Sequence, residues 1–161
     1  MNLFITGAGR GLGRHLAARA AAAGHTVLAG IRSASSGRSG LDDLLRQHPG
    51  RILPVEVDVA DEASVESAAH AVRDAVGKLD AIVNNAAILA GRNVPLERLD
   101  MAEMERSMQV NLYGPMRVAK HFVPLLTGAG PRTVLNVSSD AGGYASAYDG
   151  DYPYAISKAA L

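Results

Sequence analysis

The chain has 161 residues, of which 48% are hydrophobic and 20% are charged, a composition typical of a globular protein with one domain. Sixteen basic residues balance sixteen acidic ones, so the zero formal net charge argues against electrostatic capture by nucleic acid or an anionic membrane. The sequence has no cysteine, which excludes disulfides, thiol catalysis and thiolate metal sites, and its five histidines show no metal-ligand spacing.

The first element is a short apolar strand, residues 3–5, followed by the glycine-rich segment TGAGRGLG at residues 6–13 and a helical pattern from residue 14. Glycine permits positive φ and a close approach of the backbone to a ligand, and a helix N-terminus binds pyrophosphate through its unpaired N–H groups. We therefore expect a phosphate-binding turn, whose candidate contacts are Gly7, Arg10, Gly11, Leu12 and Gly13. The alternative is a glycine-rich turn without a ligand.

The spacing of these glycines distinguishes between nucleotide-binding motifs. A G-x-G-x-x-G fingerprint that starts at Gly7 needs glycine where Leu12 stands, and a P-loop needs a Gly-Lys-Ser/Thr ending that is absent. The pattern present, T-G-x-x-x-G-x-G, resembles the cofactor loop of the short-chain dehydrogenase/reductase family. The resemblance implies a Rossmann-type α/β fold, a doubly wound parallel sheet with strand order 3-2-1-4-5. It also implies hydride transfer between a nicotinamide cofactor and a carbonyl or alcohol.

The second strand, residues 25–31, ends beside the position that selects between the two nicotinamide cofactors. An acidic residue there favours NAD because it hydrogen-bonds the ribose 2′-hydroxyl, whereas an arginine suits a 2′-phosphate. This chain has Arg32 at that position, and Arg10 in the glycine loop is a second candidate. We therefore expect NADP(H) to be favoured over NAD(H). The alternative is that both arginines are merely solvated.

The third strand, residues 52–57, contains Pro54, which cannot donate to a ladder and so predicts an edge strand. Asp58 and Val59 follow it, and in the family such a pair contacts the adenine ring. The alternative is that Asp58 only caps the turn. Asp61 is the expected N-cap of the next helix, which Gly77 ends.

The fourth strand, residues 79–83, runs into Asn84-Asn85-Ala86-Ala87, where the family usually has Asn-Asn-Ala-Gly. The resemblance implies that Asn84 and Ala86 line the cofactor, and Ala87 is a mild departure. The alternative is an ordinary asparagine-rich turn.

A helix is predicted from Asp100 towards Leu126, with a kink where Pro115 lacks the N–H that would serve the carbonyl of Asn111. In the family the matching asparagine holds a water that links the catalytic lysine to solvent. The alternative is an ordinary mid-helix asparagine beside a proline kink.

The fifth strand, residues 133–137, ends in Ser138-Ser139, and a helix with Tyr154 and Lys158 follows. Tyr154 is the only one of the five tyrosines with a lysine four residues later, a spacing that places both on one helix face. An ammonium nearby favours the phenolate form of a tyrosine, which suits acid–base catalysis.

The resemblance gives these residues roles. Tyr154 protonates the developing alkoxide, Ser139 orients the same oxygen, Asn111 completes a proton relay, and Tyr154 and Lys158 also contact the nicotinamide ribose. The step of 15 from Ser139 to Tyr154 slightly exceeds the family's usual spacing, which leaves Ser138 as a weaker candidate.

The resemblance covers the whole chain, but family members continue with more of this helix and two further strands. We therefore expect the N-terminal part of a longer reductase, with a small-molecule carbonyl or alcohol as substrate and a homo-oligomer possible for the full-length form. No apolar run is long enough to span a membrane, and a cytoplasmic location is the default expectation. The alternatives are a nucleotide-binding module without catalysis and an inactive fragment.

Overall fold

The computed structural model describes residues 1–33, 40–127, 130, 132–143 and 150–161. Its centre is a parallel sheet whose five strands are β1 (Asn2–Thr6), β2 (Thr26–Ile31), β3 (Ile52–Glu56), β4 (Ala81–Asn84) and β5 (Thr133–Asn136). The strands lie in the order β3-β2-β1-β4-β5, which confirms the predicted doubly wound α/β sheet.

Helices connect the strands, because parallel neighbours need crossover connections. In the described part of the chain they are α1 (Gly11–Ala22), α2 (Asp42–Gln47), α3 (Glu62–Val76), α4 (Met101–Asn111), α5 (Tyr113–Phe122) and α6 (Tyr152–Ala160). As predicted, Asp61 caps α3 by accepting a 3.0 Å hydrogen bond from the amide of Ala63, and Gly77 ends the helix at φ 72°. None of these helices is both long enough and apolar enough to cross a membrane.

The prediction of one kinked helix from Asp100 towards Leu126 is wrong, because the structure divides this segment into two helices at Leu112. The helix α4 ends at Asn111, α5 begins at Tyr113, and a 3₁₀ turn continues from Val123. Pro115 falls in the first turn of α5, where a missing N–H removes no bond within that helix. The expected kink is therefore a helix boundary.

The sheet is covered on both faces, and the alternation of side chains along β1 shows how. Phe4 points to the face covered by α3 and α5, where its ring stacks on Phe122 with a centroid distance of 4.0 Å. Ile5 points to the opposite face and joins a cluster with Ala17 of α1 and Leu44 of α2. Two buried faces explain why the inner strands are almost continuously apolar.

The two edges of the sheet differ. Pro54 lies on the edge strand β3, opposite Ala29 of β2, as predicted. At the other edge every residue of β5 is exposed, including Val134 and Leu135.

The carboxyl ends of the inner strands meet at one edge of the sheet. Thr6 at the end of β1 pairs with Gly30 near the end of β2, and Asn84 at the end of β4 pairs with Asn136 of β5. The strand β1 lies between β2 and β4, so the chain turns to opposite sides of β1 to form its two neighbours. The carboxyl end of such a strand is a topological switch point, where open α/β sheets bind ligands. Most of the predicted loop over residues 33–40, residue 131 and the tyrosine-rich residues 144–149 lie outside the described residues.

Candidate active site

The glycine loop after β1 has the backbone that its sequence predicted. Gly7 and Gly11 have φ values of 68° and 54°, which residues other than glycine rarely adopt. The helix α1 begins at Gly11, three residues earlier than predicted, and its N-cap residue Arg10 makes no side-chain capping hydrogen bond. The side chain of the N-cap residue therefore supplies no acceptor to the first N–H groups of α1.

Gly13 is required by packing inside the protein. A Cβ at this position would lie 2.4 Å from both the carbonyl oxygen of Gly7 and the Nδ2 of Asn85. A Cβ at Gly11 would meet nothing within 4 Å. The missing side chain of Gly13 thus lets the loop pack against the end of β4, and Gly11 lies on the open side of the turn.

Thr6 fastens the same loop to the chain that follows β4, a role that the sequence analysis did not assign. Its Oγ1 accepts hydrogen bonds of 3.0 Å from the backbone amides of Asn85 and Ala86. The Nδ2 of Asn85 donates back to the carbonyl oxygen of Thr6 at 2.9 Å. The sequence feature that points to this role is a polar residue directly after a buried apolar strand.

The two arginines predicted to read a 2′-phosphate are both exposed. Arg10 precedes α1 and Arg32 follows β2, so they leave neighbouring strands at the same edge of the sheet. A third arginine in this region, Arg14, was not predicted; its Nε donates at 2.6 Å to the carbonyl oxygen of Gly40. This contact holds residue 40 against the glycine loop, where a Cβ on Gly40 would lie 2.0 Å from the carbonyl oxygen of Gly9.

Asp58 forms a local turn in the structure. Its Oδ1 accepts a 3.0 Å hydrogen bond from the amide of Ala60, and its own amide donates to the Oγ of Ser64 at 2.9 Å. Asp58 therefore caps this turn, as the alternative interpretation expected, and a contact of Asp58 with adenine stays a prediction.

Val59 is buried in the core and packs against Gly114 of α5. Its carbonyl oxygen accepts a 3.2 Å hydrogen bond from the Nη1 of Arg117. The Nε of Arg117 also lies 3.6 Å from the carboxylate of Glu62, and that carboxylate contacts Lys120 at 2.7 Å. This ion cluster joins the start of α3 to α5, directly behind the predicted adenine contact.

Asn84 and Ala86 lie where β4 ends. The Nδ2 of Asn84 donates to the Oδ1 of Asn136 at 2.8 Å, and its carbonyl oxygen accepts from the amide of Val137 at 2.9 Å. Its Oδ1 is buried without a hydrogen-bond partner among the described residues. The contacts of Asn84 join β4 to β5, and Ala86 contacts the glycine loop, so their cofactor contacts stay predictions.

Asn111 is fully buried at the end of α4, and its side-chain amide makes three hydrogen bonds. Its Oδ1 accepts from the amide of Ile88 at 2.9 Å, and its Nδ2 donates to the carbonyl oxygen of Ile88 at 3.0 Å and to the Oγ of Ser157 at 2.9 Å. Ser157 was not predicted, and nothing local in the sequence marks it.

Tyr154 and Lys158 lie on one face of α6, as their spacing predicts. The Nζ of Lys158 is 5.9 Å from the centre of the Tyr154 ring. Lys158 is 5% exposed, its ammonium donates at 2.6 Å to the carbonyl oxygen of Val137, and burial lowers its pKa. Tyr154 is partly exposed.

Ser139 caps the 3₁₀ turn Asp140–Gly142. Its Oγ donates to the Oδ1 of Asp140 at 3.1 Å and accepts from the amide of Ala141 at 3.2 Å. A Cβ on Gly142 would lie 2.5 Å from the carbonyl carbon of Lys158, so this turn packs directly on α6. Ser138 is exposed beside it.

The start of α6 is anchored to the loop that follows β4. Asp151 is buried, and its Oδ1 accepts a 3.0 Å hydrogen bond from the amide of Asn93. Asp151 and Asn93 both have positive φ, at 47° and 57°. Paired residues in this sparsely populated region indicate a backbone that the surrounding structure over-determines.

Comparisons with known proteins agree with this arrangement. The family described as short chain dehydrogenase matches residues 2–161. A short chain dehydrogenase from Aspergillus terreus is 40% identical over 147 residues, which cover 86% of this chain and 31% of that protein. An NADPH-dependent pterin aldehyde reductase from Arabidopsis thaliana is 33% identical over 99% of this chain and 64% of its own length.

Solved structures give the same result. A short-chain dehydrogenase from Streptomyces avermitilis superposes with a TM-score of 0.87 at 31% identity, over 99% of this chain and 56% of that one. An NADPH-bound carbonyl reductase from chicken fatty liver superposes with a TM-score of 0.90 at 26% identity, over 99% of this chain and 69% of that one. The chain spans about a third to a half of the length of the first curated relatives that it matches.

Proposed function

This chain belongs to the short-chain dehydrogenase/reductase family, and we propose that the protein is an NADP(H)-dependent oxidoreductase acting on a carbonyl or alcohol substrate. The observation that carries this proposal is the Tyr154–Lys158 pair on α6. Its lysine is buried against the carbonyl oxygen of Val137, at the edge of the sheet where β5 ends. A buried lysine is explained chemically if it assists an acid–base tyrosine beside it, and the carboxyl ends of parallel strands are where such a site is expected.

The residues around the glycine loop fit a dinucleotide. Gly11 faces open space, α1 begins without a side-chain cap, and no acidic residue lies in its first turn. Such a helix N-terminus favours a pyrophosphate. Gly7, Leu12 and Gly13 complete the turn that would hold it.

The preference for NADP(H) is supported by charge. The described end of β2 carries Arg32 instead of a carboxylate, and Arg10 leaves the neighbouring strand at the same edge. A permanently charged guanidinium matches a phosphate, whereas a carboxylate would repel it. The NADPH-bound carbonyl reductase and the NADPH-dependent aldehyde reductase described above are consistent with this preference.

The chain's own residues would then handle a proton at the substrate oxygen. When bound, the nicotinamide supplies or accepts the hydride. In reduction Tyr154 donates its hydroxyl proton to the carbonyl oxygen, and in oxidation the phenolate takes the proton of the alcohol. The Lys158 ammonium stabilises the phenolate that remains after donation.

Ser139 and Asn111 assist that proton transfer in this proposal. Ser139 donates to the substrate oxygen, and for this its hydroxyl must turn away from Asp140. The carbonyl of Asn111 receives no helical bond from Pro115, which lacks an N–H, and is available to a water that resupplies the proton through Lys158.

Titration with NADPH and NADH, followed by nucleotide fluorescence, tests the cofactor assignment. Turnover with a panel of small aldehydes and ketones then compares the wild type with Tyr154→Phe. We expect NADPH to bind more tightly, and Tyr154→Phe to lose turnover by at least about 100-fold while keeping NADPH affinity. Binding without turnover in either protein would favour the non-catalytic nucleotide-binding alternative, and absence of binding would contradict the proposal.

We also propose that a full-length form assembles as a homo-oligomer and that the protein resides in the cytoplasm. Light scattering of the purified full-length form tests the first statement, and fractionation of the source cells tests the second. A monomer at working concentration would contradict the first.

A further inference from the structure

Ser157 lies inside α6 with its side chain fully buried and its hydroxyl bonded in both directions. Its Oγ accepts a 2.9 Å hydrogen bond from the Nδ2 of Asn111 and donates a 2.8 Å hydrogen bond to the carbonyl oxygen of Tyr154. An amide nitrogen can only donate, so the single proton of the hydroxyl is directed to Tyr154. The direction of both bonds is therefore fixed by chemistry.

Asn111 is equally constrained on its other side. Its Oδ1 accepts from the amide of Ile88 and its Nδ2 donates to the carbonyl oxygen of Ile88. The Nδ2 has two protons, and Ser157 receives the second. Turning the amide around would break both bonds to Ile88, whose N–H can only donate and whose carbonyl can only accept, so Asn111 has one orientation.

These bonds form a chain from the loop after β4 to the centre of the proposed site. The carbonyl that Ser157 binds belongs to Tyr154, and the residue that follows Ser157 is Lys158. Asn111 is 46 residues away in sequence, so no local structure brings it there. We propose that Ser157 is the positioning residue that holds Asn111 in register with Tyr154 and Lys158.

This inference rests on the proposed function, and it predicts how kcat and KM respond to loss of the Ser157 hydroxyl. In Ser157→Ala the buried Nδ2 of Asn111 loses one acceptor and α6 loses its hydrogen bond to α4. We expect kcat for NADPH-dependent reduction to fall by roughly tenfold, the effect of one buried hydrogen bond, with the KM for NADPH within about twofold of wild type. A loss confined to cofactor binding would contradict a role in aligning the proton relay.

Ser107→Ala provides the matched control. Ser107 lies on α4 one turn before Asn111, is equally buried, and its Oγ has no hydrogen-bond partner among the described residues. We expect this variant to keep wild-type kcat. Ser157→Cys keeps a weak donor and acceptor of similar size, and we expect its kcat to fall between wild type and Ser157→Ala.

A double substitution tests whether Ser157 acts through Asn111. If it does, adding Ser157→Ala to Asn111→Ala lowers kcat by less than about twofold, because the link is already broken. Two independent full losses would overturn the inference.

Amide hydrogen exchange at Ile88 is a readout that does not depend on activity. Asn111 binds this amide, so we expect the exchange to be faster in Ser157→Ala and unchanged in Ser107→Ala. Unchanged exchange together with unchanged kcat in Ser157→Ala would overturn the inference. A wild-type protein that shows no turnover would contradict the proposed function, and exchange at Ile88 would then decide alone whether Ser157 positions Asn111.

Discussion

The Nζ of Lys158 lies 2.6 Å from the carbonyl oxygen of Val137, so the backbone that leaves β5 holds the lysine of the proposed site. This contact satisfies one donor of a buried ammonium, and burial still lowers the pKa of Lys158 from 10.5. The pH dependence of stability follows from that direction. At pH values below the lowered pKa of the folded protein, Lys158 is protonated in both the folded and the unfolded state. Between that pKa and 10.5, the unfolded chain still holds the proton that the folded protein has lost.

The free energy of unfolding contributed by Lys158 should therefore rise with pH across that window. Denaturant unfolding of wild type and Lys158→Met, from neutral pH to about 10, measures it as the difference between the two proteins. Lys78→Met, at an exposed lysine, is the control for the removal of one lysine charge. A flat difference for Lys158→Met would show that the ammonium is solvated in the folded protein.

Glu62 gives the opposite dependence. The hydrogen bond from Lys120, and then that with His121, lower the pKa of Glu62 from 4.5 to about 2. A lowered carboxyl pKa stabilises the folded state fully above pH 4.5, and this contribution is lost as the pH falls to about 2. We expect Glu62→Gln to be less stable than wild type at neutral pH and equally stable near pH 2.

Denaturant unfolding at both pH values measures this difference, and high salt should reduce it because the group is exposed. Glu66→Gln, one turn further along α3, removes the same charge and is the control, because the described residues show no ion cluster at Glu66 like that of Glu62. A Glu62→Gln deficit that persists near pH 2 would attribute the loss to packing rather than to charge.

Thr6→Val should destabilise the glycine loop. The substitution keeps the shape of the side chain but leaves the amides of Asn85 and Ala86 without their acceptor. We expect the free energy of unfolding to fall by about 3 kcal/mol, since each unsatisfied buried donor costs about 1–3 kcal/mol. Thr6→Ser keeps the acceptor and should recover most of the loss. A Thr6→Val variant as stable as wild type, with Thr6→Ser the less stable of the two, would mean that the methyl group, not the hydroxyl, is what matters.

Arg10→Ala and Arg32→Ala test the proposed phosphate contacts. We expect each to raise the Kd for NADPH by about tenfold, the effect of losing one charge-assisted hydrogen bond, and to change the Kd for NADH by less than about twofold. Arg19→Ala, an exposed arginine later in α1, is the control for the change in net charge. Equal losses for NADPH and NADH would show that the arginines act on the pyrophosphate and not on a 2′-phosphate.

The sheet order was predictable because each strand carries a local signal. Apolar runs gave the inner strands, Pro54 gave the edge, and Asp61 with Gly77 gave the ends of one helix. Each of these signals lies within the element itself, where propensity and capping act.

The contacts that assemble the site were not predictable in the same way. Thr6 meets Asn85 from 79 residues away, Asn111 meets Ser157 from 46, and Arg117 meets Val59 from 58. No periodicity or spacing records such pairs, because they depend on how finished elements pack. The boundary at Leu112 was missed for a related reason: a proline predicts a disturbance but does not say whether the helix bends or ends.

The position of β1 in the sheet has a consequence for how the chain folds as it leaves the ribosome. Of the five strands, β1 comes first in the chain but lies third in the sheet, between β2 and β4. A nascent chain can pair β1 with β2 early, but the second edge of β1 stays open until residues up to Asn84 have been synthesised. The next two residues, Asn85 and Ala86, are those that Thr6 binds, so we expect the closing of this edge and the locking of the glycine loop to occur together during translation.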